Sequence, residues 1–78
     1  MAKGKGTPRT VRGALRRGYH KVIIKRREDL SWVGILNSIH RMTKDHYVNS
    51  YDMQGGGTVA FKDSADAVIV AMKFGHFT

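Results

Sequence analysis

The chain has 78 residues, of which 41% are hydrophobic, and carries a formal net charge of +8. This length suits one small domain and is too short for two. The chain contains no cysteine, which excludes disulfides and thiolate metal sites. No apolar run approaches the ~18 residues that span a membrane, and no apolar stretch follows the N-terminal bases as in a secretory signal. We therefore expect a cytoplasmic protein with no membrane partner.

The basic residues are concentrated at one end of the chain. The first 27 residues carry a charge of +10 with no acid, whereas residues 28–78 carry a charge of −2. Arginine, which predominates in this segment, suits bidentate contacts with phosphate. The sequence therefore predicts a cationic surface for a polyanion or an acidic protein, formed by Lys3, Lys5, Arg9, Arg12, Arg16, Arg17, Lys21, Lys25, Arg26 and Arg27.

The N-terminal part of this segment predicts a short helix. Residues 1–7 are small and basic, and we expect them to be flexible. Thr7 and Pro8 are typical of an N-cap followed by the first helical position, and Gly18 is a suitable end. Within residues 8–17, apolar and arginine side chains fall on different faces. We therefore divide the chain into a basic arm, residues 1–18, and a single domain, residues 19–78.

The rest of the chain predicts alternating strands and helices. The β-branched run within residues 20–26 indicates a strand, and Glu28-Asp29 indicates the start of a helix that continues to about Met42. Residues 46–52 and 58–62 indicate a hairpin around a glycine-rich turn. Asp63 or Ser64 is expected to cap a last helix that reaches Phe74, whose apolar face is predicted to be Ala65, Val68, Ile69 and Met72. Residues 76–78 are too few to predict a strand.

These elements predict an α+β fold in the order β-α-β-β-α, preceded by the basic arm. A strand, a helix and a hairpin cannot bury their apolar faces separately. The arrangement that buries these faces together is a small antiparallel sheet with two helices packed on one face. It is close to a ferredoxin-like plait that lacks a full last strand.

The hairpin carries a resemblance to a known family. Residues 56–67, Gly-Gly-Thr-Val-Ala-Phe-Lys-Asp-Ser-Ala-Asp-Ala, resemble the third strand and second helix of an RNA-recognition motif. The family's octamer aligns with residues 54–61, where Gly55, Gly57, Val59 and Phe61 fit it. The departures are Gln54 in place of a base, and Gly56, Thr58 and Ile23 in place of base-stacking rings. The resemblance implies the plait and argues against the family's usual RNA-binding surface.

A second resemblance concerns residues 58–74, which look like short uncharacterised proteins of tailed bacteriophages. Such proteins often bind a host factor. This resemblance implies a chain that acts in the host cytoplasm by binding an acidic host protein and modulating it.

Other candidate chemistry in the sequence is sparse. Tyr47 and Tyr51 project from one side of a strand and could offer a stacking platform, although tyrosine is also an ordinary strand residue. The histidines have no metal-binding spacing, and no serine lies in a nucleophile motif. The aspartates lie at turns and helix starts, where they usually accept backbone N–H groups. We therefore expect no enzyme activity, no metal and no cofactor.

Three functions are compatible with these features. The first is a non-catalytic nucleic-acid-binding module of low sequence specificity, in which residues 1–27 contact phosphates and Tyr47 and Tyr51 assist. The second is a small effector that binds a host protein through an acidic surface of that protein. The third is a minor structural protein of a particle. RNA and DNA are not distinguished, and a homodimer is compatible with each function.

Overall fold

The computed structural model describes residues 8–53 and 55–77. The predicted arm residues 1–7, including Thr7, and the turn residue Gln54 lie outside these ranges. The described residues form an α+β fold, as the sequence predicted. Its elements are α1 (Val11–Arg16), β1 (His20–Ile24), α2 (Trp32–Met42), β2 (Tyr47–Tyr51), β3 (Gly57–Phe61), α3 (Ser64–Phe74) and β4 (Gly75–Phe77).

The strands form one sheet in the lateral order β2-β3-β1-β4. Each neighbouring pair is antiparallel, so β1 and β2 run parallel with β3 between them. After α1, this is the split β-α-β arrangement. The last strand was not predicted. Gly75 lets it pair with β1, because a Cβ at this position would collide with the carbonyl oxygen of Ile23.

Both long helices pack on one face of the sheet, as expected. Alternate residues of β1 and β3 point toward them, and the fully buried side chains of Ile35 and Ile39 come from α2. The main core consists of Val22, Ile24, Ile35, Ile39, Val59, Phe61, Ala67, Val70, Ala71 and Phe74. No helix within the described ranges is long and apolar enough to cross a membrane.

The short helix α1 packs on the opposite face. Ala14 is fully buried against Val48 and Ala60, and Val11, Leu15 and Tyr19 surround this contact. The described part of the predicted arm therefore lies on the sheet. The division into residues 1–18 and 19–78 stays a prediction, with the helix end near its boundary.

Local hydrogen bonds determine where α1 begins and ends. The helix is shorter than the predicted 8–17 because the hydroxyl of Thr10 accepts the N–H of Gly13 at 3.0 Å and caps the helix there. At the other end, Gly18 has a φ of +88°. The N–H groups of Gly18 and Tyr19 donate to the carbonyls of Leu15 and Ala14, which is the Schellman motif. The prediction that Gly18 ends the helix is confirmed.

The start of α2 differs from the prediction. The helix begins at Trp32, because the hydroxyl of Ser31 accepts the N–H of Gly34 at 3.2 Å and caps it. Glu28 and Asp29 precede this cap, and Asp29 is instead paired with Arg27. The cap of α3 agrees with the prediction, since Asp63 accepts the N–H of Ala65 at 3.0 Å.

The predicted apolar face of α3 was wrong. The residues that pack on the core are Ala67, Val70, Ala71 and Phe74. The predicted set, Ala65, Val68, Ile69 and Met72, faces outward, and Met72 is 82% exposed. The helix is apolar on nearly all sides, so the sequence repeat alone did not determine which side the sheet would cover.

Candidate nucleic-acid interface

The arginines of the N-terminal segment form an exposed row on α1. Burial of Ala14 against the sheet turns the opposite side of the helix outward. Arg9 precedes the helix, and Arg12 and Arg16 lie one turn apart on it; all three are exposed. Arg17, at the helix end, is also exposed. These four predicted site residues therefore lie together over the sheet face that carries α1.

Strand β1 contributes to the same side of the molecule. Val22 and Ile24 point into the main core, so the alternating residues Lys21 and Ile23 point to the α1 side. Lys25 continues this alternation directly after the strand and is exposed. Two predicted bases of β1 and its end thus share a face with the arginines of α1.

The remaining predicted bases lie elsewhere. Arg26 follows β1 and is exposed, with its side-chain carbons beside Gly55. Arg27 forms two hydrogen bonds of 3.1 Å with Asp29, and these bonds lower the pKa of Asp29. Because this pairing compensates its charge, Arg27 is a weaker candidate for a phosphate contact. Lys3 and Lys5 lie outside the described residues.

The positions where the RNA-recognition motif carries rings are adjacent on the α1 side. Ile23 of β1 is paired directly with Thr58 of β3. At Gly56, a Cβ would lie 2.5 Å from the carbonyl oxygen of Ile24, so this backbone leaves no room for a ring. Neither Ile23 nor Thr58 offers a π face to a base. This strip of the sheet therefore lacks the rings on which bases stack in the RNA-recognition motif.

A shallow hollow of about 630 Å³ lies beside this strip. Its wall includes the cationic residues Lys25 and Arg26 and the carboxylate residue Asp52. One Asp52 oxygen accepts the N–H of Gly56 at 3.1 Å. The hollow therefore combines two cations with one acid that is bound to the turn.

Tyr47 and Tyr51 are not part of the cationic surface. Both point to the side of the sheet that carries α2 and α3. The Tyr47 ring lies 5.8 Å from that of Phe61, and the Tyr51 ring lies 5.8 Å from that of Trp32. Burial raises the pKa of Tyr47. The structure thus separates the two predicted tyrosines from the arginines of α1.

A different aromatic pair lies on the α1 side and was not singled out from the sequence. The hydroxyl of Tyr19 is 3.0 Å from Nδ1 of His46, and the two rings meet edge to face. Tyr19 directly follows the Gly18 turn, so the end of α1 positions it. Tyr19 alternates with Lys21 and Ile23, which would place all three on one face of the strand. Because the predicted strand began at His20, Tyr19 was left out of this pattern.

Four of the aspartates accept backbone N–H groups, as predicted for them. Asp45 accepts the N–H of His46, Asp52 that of Gly56 and Asp63 that of Ala65. Asp66 accepts the N–H groups of Lys44 and Asp45 from another part of the chain. Within the described ranges, no group of three or more histidine or acidic residues could hold a metal ion.

The comparisons with known proteins do not indicate a family for this chain. No protein-family model, no curated protein and no solved structure gave a significant match to the chain.

Proposed function

We propose that this chain is a non-catalytic nucleic-acid-binding protein that contacts the phosphate backbone through the α1 side of its sheet. The observation that supports this proposal is the common direction of its cations. Docking of Ala14 turns Arg12 and Arg16 outward, on the face from which Lys21 and Lys25 also project, and Arg9 is exposed just before the helix. Acids are absent from the first 27 residues, so no carboxylate of this segment opposes them.

We expect the affinity for nucleic acid to depend strongly on salt concentration and only weakly on base sequence. Lysine and arginine contacts to phosphate release counterions and carry no base information. If those five cations each neutralise one phosphate, log K should fall against log salt with a slope of about −3.5 for single strands and −4.5 for duplexes. Ile23 and Thr58 add contact surface without stacking, so we expect little preference among base sequences.

Charge position can be separated from total charge with two matched variants. The first variant replaces Arg9, Arg12 and Arg16 with glutamine. The control variant replaces Arg41, Lys44 and Lys73 with glutamine; these residues lie on α2, shortly after α2 and on α3. Both lose the same formal charge. Fluorescence anisotropy with labelled single-stranded and duplex oligonucleotides measures the slope for each.

The first variant should reduce the magnitude of the slope by roughly 2 to 3, whereas the control should leave it close to the wild-type value. Equal losses in the two variants would contradict the proposal, because binding would then depend on net charge and not on this face. A wild-type affinity that hardly changes with salt would also contradict it.

A second candidate function has its own observation. The row of Ala65, Val68, Ile69 and Met72 on α3 is apolar and faces outward, as protein-binding surfaces often do. This row favours the effector that binds a host protein. Affinity capture from a lysate after nuclease treatment separates the candidates. A discrete protein that survives nuclease but is lost in an Ile69→Lys variant supports the effector, and capture that disappears with nuclease supports nucleic acid.

A further inference from the structure

Strand β2 has one free edge in the described part of the chain. It is one of the two outermost strands, and β3 is its neighbour. The carbonyl of His46 and the N–H of Asp52 bond with Lys62 and Gly56 on the β3 side. Because the direction of backbone groups alternates along an antiparallel strand, the N–H and C=O groups of Tyr47, Asn49 and Tyr51 point away from β3.

This edge lacks the usual protection against pairing. Natural edge strands are commonly blocked by lysine, proline, a bulge or a very short length. The sequence of β2, Tyr-Val-Asn-Ser-Tyr, contains no charge and no proline, and its pairing with β3 is regular. The opposite edge, β4, has only three residues. The edge of β2 is therefore the better template for an added strand.

An apolar hollow lies between this edge and α2. It measures about 450 Å³ and is lined by Ser31, Trp32, Val33, Leu36, Asn49 and Tyr51. Val33 is 68% exposed and Tyr51 is 59% exposed. A strand that paired with β2 would cover the side of this hollow and bury part of both side chains. Backbone pairing and apolar burial would thus occur in the same contact.

We propose that the occupant of this edge is a second copy of the chain, with the two β2 strands antiparallel about Asn49. In this register each Asn49 lies opposite the other, and Tyr47 of one copy lies opposite Tyr51 of the second copy. Each outward N–H then meets a carbonyl of the other copy. Since Tyr51 lines the apolar hollow, this register brings Tyr47 of one copy beside the hollow of the other.

The ends of β2 are complementary in the same register. His46 precedes the strand and Asp52 follows it. Antiparallel pairing about Asn49 places His46 of one copy opposite Asp52 of the other, on the α1 side. A parallel arrangement would place like groups beside each other. The strand and its flanks therefore favour a symmetric, closed pair.

The pair would join the two sheets without covering the cationic surface. Residues directly opposite in an antiparallel pair share a face, so both α1 helices would lie on one side of the joined sheet. The positive copies repel each other, and salt screens this repulsion. Pairing of the chain should therefore strengthen with salt, whereas the proposed nucleic-acid binding should weaken.

Sedimentation of nuclease-treated protein at high salt tests the pairing without nucleic acid. Asn49→Lys places like charges opposite each other at the centre of the contact, and Asn49 is exposed in the single chain. Met72→Lys adds the same charge on the outer face of α3. We expect a concentration-dependent dimer that Asn49→Lys weakens at least tenfold and Met72→Lys leaves within about twofold.

Amide hydrogen exchange on the wild-type chain tests the same contact without a substitution. The N–H groups of Tyr47, Asn49 and Tyr51 should become protected as the concentration rises, while exposed loop amides should not. The proposal is overturned if the chain stays monomeric up to about 1 mM and these amides stay unprotected. The edge would then be a candidate site for an extended segment of another protein. A dimer that Met72→Lys disrupts and Asn49→Lys does not would place the contact on α3 and also overturn it.

Discussion

The carboxylate of Asp66 accepts the backbone N–H of Asp45 at 3.0 Å. The same oxygen accepts the N–H of Lys44 at 3.2 Å. Asp66 is only 3% exposed and lies in the first turn of α3, whereas Lys44 and Asp45 join α2 to β2. One buried side chain therefore fixes the loop before β2 to the helix that follows the hairpin, and with it one end of the proposed pairing edge.

Removal of this carboxylate should destabilise the fold. Asp66→Ala removes the acceptor of two partly buried backbone N–H groups, and we expect a loss of ~2 kcal/mol in the free energy of unfolding. Asp63→Ala is the matched control, since it removes a more accessible helix cap at a cost of about 1 kcal/mol. Urea unfolding measures both. Equal losses would show that Asp66 acts only as a helix-start residue.

Asp66 also explains why the orientation of α3 could not be predicted. Two apolar rows satisfy the helical repeat, one with Val68 and Ile69 and one with Val70 and Phe74. The second row includes Asp66, and a carboxylate normally argues against burial. The N–H groups that donate to Asp66 come from a loop distant in the sequence. No local sequence pattern therefore reveals that this carboxylate is hydrogen-bonded when buried. The sequence predicted this helix and its cap, but the choice of face depended on a tertiary contact.

The same distinction applies to the candidate interface. The arginines and lysines were evident from the charge of residues 1–27, and the pleat of β1 separates Lys21 and Lys25 from the core side. The docking of α1 was not evident, because it depends on Ala14 meeting Val48 and Ala60 from two different strands. Likewise, sequence alternation showed that Tyr47 and Tyr51 share a face but did not show that α2 packs on the same side of the sheet.

Trp32 should contribute to stability although it is only half buried. Its ring packs against the core, Tyr51 and the backbone at Gly57. Trp32→Ala should lower the free energy of unfolding by about 3 kcal/mol, at the low end for a large aromatic residue because part of the ring is exposed. Val33→Ala, the next residue of the same helix, should change it by less than ~0.5 kcal/mol. An unchanged melting temperature for Trp32→Ala would mean that the ring acts as an exposed contact site.

Gly57 should not tolerate a side chain. A Cβ at this position would collide with the carbonyl oxygen of Ser50 and would lie 2.7 Å from Cη2 of Trp32. Since backbone cannot move aside cheaply in the sheet, Gly57→Ala should cost about 3 kcal/mol. Gly34→Ala is the control, because its Cβ would meet the flexible end of Leu30 and alanine favours the helix. Thermal unfolding that shows similar losses in both variants would contradict this explanation.

Tyr47 should make stability depend on pH in the alkaline range. Burial raises the pKa of its phenol above the usual value near 10. The unfolded chain therefore loses this proton first, so the contribution of Tyr47 is fully present below pH ~10 and decreases as pH rises through the folded pKa. Tyr47→Phe should remove this part of the decrease in unfolding free energy, and Tyr51→Phe should retain it. Denaturant unfolding at a series of alkaline pH values measures the difference. Parallel curves for wild type and Tyr47→Phe would show that this partly buried phenol does not contribute to the decrease.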